Sequence, residues 1–280
     1  MLQTRLWMGA VLAAMAGGVL FLDQWLAPWF PFLLLFLLAA GLTACIELRQ
    51  LLPSTGRPYA WLTEASVAGL IMSNWPGHFL QSDPWPWVAG TFAAVVLSAF
   101  LAEMATFHEP GESITRLALT IWIAAYLGLL PCFFAQLRWL PGGTDGVSRS
   151  TQALAMAIFV PKSCDIGAYF TGRLLGRHAM TPILSPKKTW EGFAGGMVTS
   201  VIVAIGLGRL GPALDNSDLR AIGFGLTVGL AGILGDLAES LIKRDCQKKD
   251  ASQIIPGFGG TLDVVDAVIF AAPVAYWWFQ

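Results

Sequence analysis

Four polar clusters interrupt an apolar background in the second half of the chain, and each holds residue types that handle metal or phosphate. The first is Pro161-Lys162-Ser163-Cys164-Asp165, continuing to Tyr169, Gly172 and Arg173. Lys162 and Asp165 are three apart and share a helix face. They either neutralise each other in lipid or line a polar cavity, and charges within membrane spans usually mark function. The second is Ser185-Pro186-Lys187-Lys188-Thr189-Trp190-Glu191-Gly192. Adjacent lysines before a helix start are anion ligands or topology determinants, and Thr189 is placed to cap a helix whose N-terminus favours phosphate. The third is Gly235-Asp236-Leu237-Ala238-Glu239-Ser240, running into Lys243-Arg244. Positions 236, 239, 240 and 243 follow helical spacing and form one polar face on an apolar helix. The fourth is Pro256-Gly257-Phe258-Gly259-Gly260-Thr261-Leu262-Asp263-Val264-Val265-Asp266. Its glycines allow close backbone approach or positive φ, and Asp263 and Asp266 share a face of the helix that follows.

Carboxylates at lipid depth are costly without a partner, and an all-oxygen donor set suits Mg²⁺, which binds through a few carboxylates plus substrate phosphates. Asp236, Asp263 and Asp266 are the expected metal ligands. With the neighbouring lysines and arginines they make a metal-and-phosphate combination of the kind phosphoryl or nucleotidyl transfer uses. No GxxxxGK[ST] loop, GxSxG elbow or HExxH pair is present, which argues against a P-loop ATPase, a serine hydrolase and a zincin. An ion or solute transporter also buries carboxylates beside broken helices. The gathering of bases with acids on one membrane face argues for phosphate.

The elements that must position these residues are membrane helices. Of 280 residues, 55% are hydrophobic and 12% charged, against about 25% charged in ordinary soluble domains. The mean hydropathy is +0.62. Apolar runs mark nine candidate spans at 6–22, 25–46, 60–80, 84–107, 117–137, 151–172, 190–210, 219–242 and 261–279. The first is expected to be a retained helix rather than a signal peptide. The third, with Glu64, Asn74, Pro76 and His78 inside it, is the weakest. Nine spans place twelve Lys and Arg on one side and four on the other. By the positive-inside rule the amino terminus and both basic loops are then cytoplasmic. The expected fold class is therefore all-α, a polytopic integral membrane protein of about nine transmembrane helices. It divides into N-terminal helices over 1–150 and a C-terminal catalytic region over 151–280 within one integral domain. Four dispersed cysteines show no zinc or disulfide spacing. Eight of the 35 charged residues fall between Asp236 and Asp250.

The run from Ser240 through Lys243-Arg244, Lys249-Asp250, Ser252 and Pro256 to Gly259-Gly260, Asp263 and Asp266 resembles the signature of the phosphatidate cytidylyltransferases, or CDP-diacylglycerol synthases. Twenty-seven residues align without a gap. Ser185–Gly192 and Asp165 with Gly172-Arg173 and Gly176-Arg177 are also similar to motifs of that family. Phe258 stands where the family has His, Thr261 where it has an apolar residue, and Val264 where it has Arg. The resemblance covers residues 160–280. It implies nucleotidyl transfer from CTP to phosphatidate, yielding CDP-diacylglycerol and pyrophosphate. A lipid or polyprenol kinase, or a nucleotidyltransferase with a different lipid substrate, is the alternative enzyme of similar architecture.

The implied catalytic residues are Asp236, Lys243, Arg244, Lys249, Asp250, Asp263 and Asp266. The implied substrate contacts are Asp165, Arg173, Ser185, Lys187, Lys188, Glu191, Ser240, Gly259 and Gly260. Mg²⁺, with a second cation, is the expected cofactor. The expected partners are CTP, phosphatidate, the lipid bilayer and, as oligomer, a homodimer, with no nucleic acid. The expected location is a bacterial cytoplasmic membrane, with the site facing the cytoplasm.

Overall fold

Inside a bilayer every backbone N–H and C=O must be paired within its own segment, so the apolar runs fold as helices. The computed structural model describes residues 2–142, 148–252, 254–257 and 259–280, with side chains from residue 7 onward. Its helices are α1 (Leu2–Asp23), α2 (Pro31–Leu51), α3 (Ala60–Met72), α4 (Pro76–Phe79), α5 (Trp85–Thr106), α6 (Ser113–Ile123), α7 (Leu130–Gln136), α8 (Arg149–Leu175), α9 (Trp190–Gly208), α10 (Asp218–Asp245) and α11 (Thr261–Trp278). A π-helical turn, Ala124–Leu129, joins α6 to α7. Strands β1 (Ala179–Thr181) and β2 (Ser185–Thr189) form an antiparallel hairpin. Among the described residues, eight helical segments are long and apolar enough to cross a membrane, in keeping with the all-α polytopic fold expected.

The weak third candidate is divided. Its helix α3 has 13 residues, roughly 20 Å at 1.5 Å per residue. Asn74 Nδ2 donates to the carbonyls of Leu70 and Ile71, both at 3.0 Å. That polar side chain therefore satisfies the end of α3 before α4 begins.

The described residues gather into two compact units: residues 1–135 with 250–262, and residues 136–249 with 263–280. In the first, Leu70, Val88, Val95, Ala124 and Cys132 form an apolar core. Asp23 Oδ1 accepts from Phe32 N at 2.9 Å and so caps α2, which has Pro31 in its first turn.

The second unit is held by close helix contacts. Small residues let backbones approach where lipid supplies no hydrophobic drive for helix pairing. A Cβ added at Gly196 of α9 would stand 2.7 Å from Cys164 O of α8, and one at Gly195 2.4 Å from Thr171 Cβ. A Cβ at Gly232 would meet Pro161 Cβ at 2.7 Å, and one at Gly235 would meet Asp266 O of α11 at 2.5 Å. The helices here start on side-chain caps: Ser148 Oγ accepts from Thr151 N, Thr189 Oγ1 from Gly192 N and Ser217 Oγ from Arg220 N. The helices α8 and α10 have 27 and 28 residues, roughly 40 Å each, which exceeds the roughly 30 Å hydrocarbon core.

Candidate functional site

The close packing of α8, α10 and α11 brings charged residues together in the second unit. Lys162, one residue past Pro161 on α8, donates from Nζ to Asp266 Oδ1 at 2.9 Å and lies 3.6 Å from Asp165 Oδ2. The local i,i+3 pair therefore exists, but the stronger contact reaches across to α11. Lys243 Nζ lies 2.6 Å from both Glu239 Oε2 and Asp263 Oδ1. From β2, Lys188 Nζ pairs with Asp236 Oδ2 at 2.8 Å.

Five carboxylates (Asp165, Asp236, Glu239, Asp263 and Asp266) thus share three lysines (Lys162, Lys188 and Lys243). The formal balance is two negative charges. Oxygens of Asp236, Glu239 and Asp266 lie within 4.8 Å of one another. Glu239 is 1% exposed, and its Oε1 is buried without a hydrogen-bond partner among the described residues. A buried polar oxygen left so is costly. A site with a formal excess of two negative charges, three converging carboxylates and one orphaned oxygen fits a divalent cation with oxygen preference.

The polar face read at positions 236, 239, 240 and 243 is present on α10. Asp236, Glu239 and Lys243 join the cluster, and Ser240 is buried beside them. Glu239 and Lys162 were not among the expected site residues. The sequence signal for Glu239 was its spacing from Asp236, and for Lys162 its place inside an apolar span. Asp263, expected as a metal ligand, is engaged by Lys243, while Glu239 completes the carboxylate trio with Asp236 and Asp266.

Strand geometry separates the two adjacent lysines. Successive side chains in a strand point to opposite faces, so Lys188 turns toward Asp236 while Lys187 is exposed. The hairpin is itself tied down. Arg244 Nε donates to Leu184 O at 3.4 Å, and its Nη1 donates to Lys248 O at 3.2 Å. Glu191 accepts from the backbone N–H groups of Arg177 and His178, at 3.1 and 3.3 Å, and its Oε1 lies 2.5 Å from His178 Nδ1. Arg244 and Glu191 therefore hold the hairpin's flanks. Ser185 O accepts from Thr181 Oγ1 at 3.3 Å across the hairpin. Arg173 is exposed, with Nη1 donating to Tyr169 OH at 3.0 Å.

Lys249 is exposed beyond α10. Asp250, Gly259 and Gly260 belong to the first unit. There Ile255 and Gly259 exchange backbone hydrogen bonds of 2.8 and 3.0 Å, with Gly257 and Gly259 at φ of 85° and 111°. Phe258 lies outside the described residues. Thr261 and Val264, the other two departures, sit in the first turn of α11. Cys246 ends α10 half-buried; burial, and then the charge of Asp245, pushes its thiol pKa up.

Long apolar helices enclosing paired carboxylates and lysines define an integral membrane protein with a polyionic centre. The chain belongs to the cytidylyltransferase family, whose model matches residues 3–280. It is 30% identical over 242 residues to the phosphatidate cytidylyltransferase of Staphylococcus aureus (strain COL), a match covering 86% of this chain and 88% of that protein. It is 37% identical over 169 residues to the phosphatidate cytidylyltransferase of Mycobacterium bovis, covering 60% of this chain and 52% of the relative. Phosphatidate cytidylyltransferase 5, chloroplastic, of Arabidopsis thaliana is 34% identical over 200 residues, 65% of this chain and 50% of its own.

Proposed function

We propose that this protein transfers the cytidylyl group of CTP to phosphatidate, forming CDP-diacylglycerol and pyrophosphate. The observation that carries the reading is the cluster of five carboxylates and three lysines with two negative charges in excess, in a chain of the cytidylyltransferase family. Asp236, Glu239 and Asp266 would hold Mg²⁺, with Asp263 held close by Lys243. A bound Mg²⁺ supplies charge neutralisation of phosphate oxygens. A second cation is carried as part of this proposal.

In the reaction, an oxygen of the lipid phosphate forms a bond to the α-phosphorus of CTP. The bond from that phosphorus to its bridging oxygen breaks, and pyrophosphate leaves with the electron pair. No proton has to be removed from the nucleophile, because a phosphate monoester with a second pKa near 6 is largely ionised at neutral pH. The work of the protein is positioning and charge compensation. Lys162, Lys188 and Lys243 lie where anionic oxygens would approach the carboxylates. Lys187, Arg173 and Lys249, all exposed, are assigned to incoming phosphates, with Arg244 and Glu191 holding the hairpin that carries Lys187 and Lys188. Asp165 orients Lys162. Ser185, Ser240, Asp250, Gly259 and Gly260 are carried as substrate contacts on the family signature alone.

Depth supports a lipid substrate. Counting about 20 residues for 30 Å from Asp218 at the start of α10 brings the hydrocarbon boundary to Ala238. Asp236, Glu239 and Lys243 then straddle the level of the headgroups, where a soluble nucleotide and an anchored phosphate can meet. With eight spans the side of the basic loops carries nine Lys and Arg against seven, a smaller excess than nine spans would give but of the sign that supports a cytoplasmic face, and a bacterial cytoplasmic membrane is the proposed location. The test is purified protein in detergent with labelled CTP, phosphatidate and Mg²⁺. Release of pyrophosphate with a cytidylyl-labelled lipid is expected. Turnover of ATP with a polyprenol and none with CTP would replace this reading with the kinase.

A further inference from the structure

We infer that Glu47, on α2 and outside every motif of the signature, is a positioning residue for the aspartates of α11. The inference rests on the reading that those aspartates serve the transfer reaction. Glu47 is 2% exposed and, among the described residues of the first unit, accepts these three hydrogen bonds. Its Oε1 takes Ser252 Oγ at 2.7 Å and Thr261 N at 3.0 Å, and its Oε2 takes Leu262 N at 2.8 Å. All three donors are neutral. Two are backbone N–H groups in the first turn of α11, where helices leave donors without intrahelical partners. A helix usually satisfies these with a local Ser, Thr, Asp or Asn. Here the cap comes from a residue more than 200 positions earlier in the chain.

The same oxygen binds Ser252 before the glycine-rich turn and Thr261 after it, so one carboxylate pins both ends of the signature loop. Gly260 is fitted to this seat. A Cβ there would lie 2.5 Å from Glu47 Oε2, and 2.8 Å from both Cδ and Oε1. To move aside, the carboxylate would have to give up its three hydrogen bonds. This gives Gly260 a reason to be glycine that involves no ligand. Because α11 runs unbroken from Thr261 through Asp263 and Asp266, fixing its first two amides fixes the start and phase of the helix. Each residue of slippage would rotate both aspartates by about 100° around the axis. Glu47 touches no reacting group in this account; it acts through the helix it caps.

The test uses Glu47→Gln, which keeps the side-chain shape but turns one acceptor oxygen into a donor, together with the milder Ser252→Ala. Hydrogen exchange of the Thr261 and Leu262 amides is measured on the metal-free protein in detergent, and kcat and KM for CTP are measured with Mg²⁺ and phosphatidate. In Glu47→Gln those two amides should exchange about 10- to 100-fold faster, as expected for losing hydrogen bonds to a charged acceptor, while α8 and α10 keep their protection. The kcat should fall about 100-fold, the scale of a 1 Å misplacement, with KM for CTP changed less than about 3-fold. Ser252→Ala should show the same pattern more weakly. Unchanged exchange at Thr261 and Leu262, or a loss spread evenly over all helices, would overturn the inference. A wild-type chain inert toward CTP and phosphatidate would instead overturn the functional reading, and the exchange result would still decide whether Glu47 holds the helix start.

Discussion

Replacing Lys243 by Met removes one ammonium group that two carboxylates share. Lys243 Nζ lies 2.6 Å from Glu239 and from Asp263, whose side chains are 1% and 8% exposed, and the lysine side chain itself is 12% exposed. Methionine fills the volume of the stem without the charge, so the change is electrostatic rather than a cavity. The balance of the cluster moves from two negative charges to three. Removing one partner of a buried ion pair costs about 3–5 kcal/mol, which is on the order of 10 °C in Tm at a few degrees per kcal/mol. A divalent cation should return part of this, since a ligand at 100 times its Kd adds about 2.7 kcal/mol and the more negative site binds it more tightly. The assay is thermal unfolding of the detergent-solubilised protein by tryptophan fluorescence, in EDTA and in Mg²⁺. In EDTA the variant should melt well below wild type, and Mg²⁺ should raise its Tm by more than it raises that of wild type. Equal melting in EDTA, or equal gains on adding Mg²⁺, would refute the account of Lys243 as the shared counter-charge. Turnover measured with Mg²⁺ should fall as well.

Other outcomes follow from the same geometry. Asp266→Asn lowers the excess negative charge to one and strips Lys162 of its closest partner. Its half-saturating Mg²⁺ concentration should rise at least about 10-fold, as for removal of a charge-assisted contact, measured by initial rates across a Mg²⁺ series. Lys188→Ala should lower kcat about 100-fold, whereas Lys187→Ala, on the outward face of β2, should mainly raise KM for CTP; steady-state kinetics on the pair read the difference. Gly195→Leu places a side chain where a Cβ already meets Thr171 at 2.4 Å, so α8 and α9 must separate. A loss of about 1–3 kcal/mol or failure to accumulate in membranes is expected, read by expression and thermal stability. Cys246 is half-buried while Cys45, Cys132 and Cys164 are buried. Because its thiol pKa is raised, maleimide should label it alone in the folded protein, slowly near pH 7 and faster as pH rises past 9. In sealed right-side-out vesicles only a membrane-permeant maleimide should reach it; labelling by an impermeant reagent would reverse the proposed orientation.

The helices were legible because lipid leaves the backbone one economical solution. The run at 190–210 becomes Trp190–Gly208, 219–242 becomes Asp218–Asp245 and 261–279 becomes Thr261–Trp278. The segment at 60–80 was harder. Asn74 there serves the end of α3, a local role that hydropathy does not report. Within the site, positions one helical face apart were legible, since Asp236, Glu239 and Lys243 obey a fixed period. Which lysine serves which acid was not, because Lys162 lies closer to Asp266, 104 residues away, than to its neighbour Asp165. Glu47 was invisible for the same reason. Two of its partners are backbone amides, which any sequence supplies, the third is the Ser252 hydroxyl, and only folding brings α2 to them.

The length of α10 ties the chemistry to the membrane's thickness. A helix of 28 residues outreaches the hydrocarbon by about 12 Å, so the height of Asp236 and Glu239 above the acyl chains depends on how thick those chains make the leaflets. Long-chain or sterol-thickened bilayers would draw the carboxylates toward the oil, and thin ones would lift them above the phosphate plane. Tilt can absorb such mismatch at fractions of a kcal/mol per Å, but tilting α10 also swings the site sideways. Turnover in reconstituted bilayers should therefore peak at one acyl length, even with a single phosphatidate species as substrate. The bulk lipid would then tune the enzyme that makes its precursor.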